Sequence, residues 1–171
     1  MFFSSIAVLA VLTQAPPTKI GDFVYYERRD PINDNLLVGL RAEKDEATLF
    51  IACSHARAKT IYVVLKTDRY LAPSSSILTE DLRPFYYRID GGKSYNAFSE
   101  YPNIDRALVE GAAARAFTER LANGKSAFVR VRGVSGNIDV HYDIAGIKPL
   151  VERVAQKCED KRLLKRLAQS D

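Results

Sequence analysis

Tryptophan is absent from this chain of 171 residues, cysteine and histidine occur twice each, and no cofactor signature can be found in it. Each scarcity removes a class of chemistry. With two histidines, His55 and His141, a tetrahedral zinc site would need both cysteines at the same place, and the separations match no compact zinc spacing. Neither Cys53 nor Cys158 sits in a C-x-x-C or ahead of a helix, which disfavours a reactive thiolate. The serines Ser74, Ser75, Ser76 and Ser135 lie in neither G-x-S-x-G nor S-x-x-K, so a serine hydrolase has no anchor. The phosphate loop G-x-x-x-x-G-K-S/T and the dinucleotide fingerprint G-x-G-x-x-G are both missing. No cofactor is expected.

What is present is ordinary in amount. Hydrophobic residues make up 47% and charged residues 27%, values of a folded globular chain long enough for one domain with a sizeable core. The net charge of +4 comes from 25 basic against 21 acidic residues, spread from Lys19 to Arg166. Attraction to polyanions follows clustering more than net count, so nucleic acid is not the expected partner.

The N-terminus reads as a secretory leader over residues 1–15. It carries no charge, an apolar stretch from Ile6 to Leu12 too short to span a bilayer, and the small-x-small ending Thr13-Gln14-Ala15. No basic residue precedes the apolar stretch and Pro16 would follow the cut, so a buried first strand or an uncleaved anchor is the alternative. Residues 16–22 read as a linker, 23–158 as a single domain and 159–171 as a charged helical extension or tail. Export and the cysteines support one another, because two thiols in an oxidising compartment tend to pair. Cys53 alternates with Leu49 and Ile51 on one strand face, and Cys158 follows Ile147, Leu150, Val151 and Val154 at helical spacing. Both sulfurs therefore face a core, as a bridge or as two separate buried thiols.

The body is mostly extended. Residues 23–29, 36–42, 47–54 and 60–67 read as strands of an antiparallel meander, 85–90 as another, with 95–99 continuing it after Gly91-Gly92. Residues 70–82 form the longest irregular stretch. Leu108, Val109, Ala112, Ala116, Phe117 and Leu121 predict a helix over 105–122 that stops at Asn123-Gly124 and holds Gly111 in its interior. A hairpin over 127–144 turns at residues 133–136, and a last helix runs from near Gly146 to Cys158 with Pro149 in its first turn. The expected architecture is α+β: a mostly antiparallel sheet or sandwich, five or six strands, helix, hairpin, helix.

Two constellations carry candidate chemistry. Asp139, His141 and Asp143 alternate on one strand face, as a divalent metal site or general base requires, though the wet face of an antiparallel sheet gives the same pattern. Tyr87, Arg88 and Asp90, with Arg130 and Arg132, offer ring and cation contacts for an anionic polymer, and the nine tyrosines suit a contact surface.

The segments Phe50-Ile51-Ala52-Cys53, Thr60-Ile61-Tyr62-Val63 and Tyr87-Arg88-Ile89-Asp90 come first. A helix ending between Phe117 and Leu121, Val129-Arg130-Val131, Tyr142-Asp143-Ile144-Ala145-Gly146 and a terminal Cys158 follow in order. This outline, over residues 22–158, resembles the type VI secretion-associated periplasmic proteins of bacteria. The chain departs from it in lacking a tryptophan near Phe23 and in having Ala52 before Cys53. The resemblance implies a sandwich-like antiparallel domain with two helices, a disulfide between Cys53 and Cys158, and an accessory or binding role without catalysis. The expectation is an exported, non-enzymatic envelope protein with a protein or cell-envelope partner. The other readings are a small periplasmic hydrolase or metal-dependent enzyme using Asp139, His141 and Asp143, and an exported inhibitor that inserts a loop such as 70–82 into a target.

Overall fold

A computed structural model describes residues 18–56, 59–71 and 83–169. The expected leader over 1–15 and nearly all of the 70–82 stretch lie outside these residues. Among the described residues the chain forms ten strands and three helices, an α+β fold. The strands are β1 (Lys19–Ile20), β2 (Phe23–Arg29), β3 (Leu36–Lys44), β4 (Ala47–Ser54), β5 (Tyr62–Thr67), β6 (Arg83–Ile89), β7 (Tyr95–Asn103), β8 (Arg106–Val109), β9 (Ser126–Gly133) and β10 (Gly136–Asp143). The helices are α1 (Gly111–Ala122), α2 (Lys148–Lys157) and α3 (Lys161–Leu167).

All neighbours pair antiparallel in the order β1-β2-β3-β4-β5-β8-β7-β6-β9-β10. Short turns force the first half to be a meander, as the hairpin-length links predict. Within the stretch read as a linker, Lys19 and Ile20 pair with Val24 and Phe23. The sheet curls until its two ends meet. The Asp22 amide donates to the Asp143 carbonyl at 3.0 Å, and the Asp143 amide returns a bond to the Asp22 carboxylate at 2.7 Å. Lys44 grips the same carboxylate at 2.9 Å.

Period-two alternation decides which side is filled. Phe23, Val38, Leu40, Leu49, Ile51, Val63, Leu65, Phe85, Val129, Val131, Ile138, Val140 and Tyr142 are buried on the inward face. The helices pack there. Phe117 of α1 meets Phe85 and Tyr87 edge-on, with ring centres 5.5 and 4.9 Å apart. Arg153 of α2 lies 3.9 Å over the Tyr25 ring and, with Lys157, pairs with Glu27 of β2.

Several expectations need correction. Among the described residues eight strands precede the first helix, not five or six, and residues 106–109 belong to β8. Arg-Ala-Leu-Val satisfies a strand as well as a helix, and its pairing with residues 63–66 of β5 decides for the strand. Gly111 is not interior: it begins α1 with φ +65°, a left-handed turn that lets the chain leave the sheet and start helix. Past Cys158 the chain does not fray. Glu159, at φ +55°, breaks the helix, and Asp160 caps α3 by accepting from the Leu163 amide at 3.1 Å and from Arg115 at 2.7 Å. Leu163 and Leu167 are buried, which makes a third helix where two were expected.

Candidate functional site

Cys53 and Cys158 form a disulfide, with Cα atoms 6.0 Å apart and both residues buried. It ties the inward face of β4 to the end of α2. Around it His55, in the turn after β4, is bonded through Nε2 to the Lys157 carbonyl at 3.1 Å, and Lys59 pairs with Glu159 at 2.6 Å. His55 thus serves the junction and lies away from His141, so the two histidines are not brought together.

The outward face of β7, β6, β9 and β10 carries the rest. Register sets Asn96, Tyr86, Arg130 and Asp139 in one row across the four strands. The next row holds Arg88, Phe128 and His141, and Ser126 stands opposite Asp143. Arg132 stands opposite Asn137. Tyr86, Arg88, Ser94, Ser126, Phe128, Arg130, Asn137 and His141 line an open groove of about 820 Å³. Both constellations seen in the sequence therefore meet on one surface.

Tyr87 is the exception. Alternation turns it inward, where it is 3% exposed, stacks on Tyr95 at 5.3 Å and accepts a hydrogen bond from Arg120 at 2.9 Å. Its place in the groove is taken by Tyr86, 41% exposed. Phe128 packs against His141 at 4.9 Å and under the Arg130 guanidinium at 5.3 Å. Tyr86 and Phe128 were missed in the sequence, although the alternation of F-Y-Y-R-I-D already puts Tyr86, and not Tyr87, beside Arg88.

The carboxylates on this face are engaged. Asp139 takes Arg130 Nε at 2.6 Å in a two-pronged pair, which holds its carboxyl below the ordinary value. Asp90 accepts from the Ser126 and Lys125 amides at 2.7 and 2.8 Å, and these bonds lower its pKa likewise. Asp143 accepts from the Ala145 amide at 3.0 Å. So Asp139, His141 and Asp143 share a face as expected but do not converge, and among the described residues no group of three histidine, cysteine or carboxylate side chains is placed to hold a metal. By contrast Arg88 and Arg132 are exposed and, among the described residues, have no carboxylate partner.

The other half of the outward face, on β2, β3, β4, β5 and β8, is more apolar. Tyr26, Gly39, Ala52 and Tyr62 form one row, and Val24, Arg41, Phe50, Val64 and Leu108 lie in the next. Grooves of about 760 and 610 Å³ flank Leu37 there. No helix among the described residues is long and apolar enough to cross a membrane.

No protein-family model matches the sequence, and no curated protein matches it either. Among solved structures the chain is similar to the crystal structure of invasion associated protein B from Bartonella henselae, with a TM-score of 0.53 and 9% identity over 85% of this chain and 99% of that one. This likeness concerns the fold.

Proposed function

We propose that the protein is an exported, non-enzymatic binding or accessory module of the cell envelope, and that the outward face of β6, β9 and β10 receives its ligand. The observation that carries the reading is the open groove of about 820 Å³ where Tyr86 and Phe128 lie among Arg88, Arg130 and His141. Rings and guanidinium groups on a rigid sheet give contact area at low entropic cost, the composition of binding surfaces. The disulfide supports an oxidising compartment. The engaged Asp139 and Asp143 favour binding over hydrolysis, since a general base needs a free carboxylate or imidazole within reach of a substrate proton. A role beside a type VI secretion apparatus is the narrower form of the proposal and predicts co-purification with its components.

The test is co-sedimentation of the oxidised protein with isolated envelope material. The native chain should pellet with it, and Phe128→Ala or Arg88→Glu should leave most of the protein in the supernatant. Equal pelleting of all three would overturn the assignment of this face.

A further inference from the structure

Resting on that reading of the face, we infer that its ligand is a sparsely carboxylated polysaccharide, bound with its sugar rings on Tyr86 and Phe128 and its acid groups at Arg88 and Arg132. Three arginines, Arg88, Arg130 and Arg132, share the surface with three aspartates, Asp90, Asp139 and Asp143. A polymer carrying a charge on every unit, such as nucleic acid, would bring phosphates against those aspartates and be repelled by them. Only a ligand whose charges are spaced can meet Arg88 and Arg132 while passing the carboxylates.

The spacing follows from the register. Phe128 stands opposite Arg88, and Arg132 lies four residues further along β9, which sets the two Cα positions about 14 Å apart at about 3.4 Å per residue. Tyr86, opposite Arg130, lies in the row between them, and Phe128 stands beside Arg88 at one end. The C–H face of a pyranose ring stacks on such rings, while its hydroxyls need both donors and acceptors. Asn96 and Asn137 supply amides, Ser94 and Ser126 hydroxyls, and Asp139 a carboxylate whose remaining lone pairs accept. The groove lies on the outward sheet face, where a ligand reaches it from solvent. Arg130, held by Asp139 against Phe128, is left to keep the ring in place.

Isothermal titration with short hyaluronan oligomers, which carry a carboxylate on every second sugar, their fully methyl-esterified forms, oligothymidylate and polyglutamate tests this. The acid oligomer should bind at least about tenfold more tightly than its ester, the worth of one charge-assisted contact. Arg88→Gln and Arg132→Gln should each cost about tenfold against the acid and nothing against the ester, and Phe128→Ala should weaken both. Oligothymidylate or polyglutamate binding as tightly as the acid oligomer would overturn the inference. If no hyaluronan oligomer binds while envelope material still sediments the protein in a Phe128-dependent way, the ligand class is wrong and the face stands. If Phe128→Ala changes neither measurement, the face itself is wrong.

Discussion

Gly21 and Asp22 show how much one turn can carry. Gly21 adopts φ +56°, and a Cβ there would lie 2.4 Å from the Asp143 carbonyl oxygen, so both the backbone and the space demand glycine. Gly21→Ala should destabilise the fold by about 1–3 kcal/mol in denaturant unfolding, and an unchanged midpoint would show that the seam does not matter. Asp22 closes the same seam. Partial burial raises its pKa, but the Asp143 amide and the Lys44 ammonium outweigh it and hold it below its ordinary 3.8. A carboxylate with a depressed folded pKa stabilises above its unfolded value, and that contribution fades as the pH falls through the folded one. The native protein should therefore lose stability below about pH 4, whereas Asp22→Asn should be weaker at pH 7 and lose less on acidification. Parallel pH profiles for the two proteins would contradict this. Nothing in the sequence announces the seam, because it joins residues 121 positions apart through side-chain and amide bonds that no local period encodes.

Among the elements, the long strands were legible and the junctions were not. Residues 127–132 and 137–143 alternate in the sequence and do so in the structure. Residues 106–109 satisfy two periods at once, so only the β5 partner, distant in the chain, could decide them. The third helix was legible as a stripe of Leu163, Leu164 and Leu167, but its docking depends on Arg115 reaching Asp160 from α1. Leu163 is completely buried, and Leu163→Ala should cost about 2–5 kcal/mol, read by chemical unfolding; a change below about 0.5 kcal/mol would mean that α3 merely rests on the domain. The disulfide joins α2 to β4 across a sequence separation of 105 and constrains the unfolded chain by up to about 5 kcal/mol in the loop-entropy account. Cys158→Ser should lower the melting temperature by several degrees against oxidised native protein and by little against reduced protein. Equal losses under both conditions would assign the effect to packing at Cys158 instead.

At the scale of the whole molecule, one curled sheet sorts its residues into a filled interior and an outward surface with two characters. One half is an apolar band around Tyr26, Phe50 and Val64, and the other a mixture of rings and charges around Phe128. The residues of the second half are scattered from Arg88 to Asp143 in the sequence, and β6, β9 and β10 collect them because β6 pairs with β9 over the top of α1 in the chain order. That pairing is why separate sequence patterns become one site. Their outward direction was legible from alternation, and their adjacency was not, since it depends on a strand order that skips from β5 to β8. The two halves are told apart by amide chemical-shift mapping of the isotope-labelled, oxidised protein titrated with solubilised envelope polysaccharide. The proposed face predicts perturbations concentrated at Tyr86, Arg88, Phe128, Arg132 and His141. Perturbations centred on Tyr26, Phe50 and Val64, with the Phe128 face silent, would contradict it.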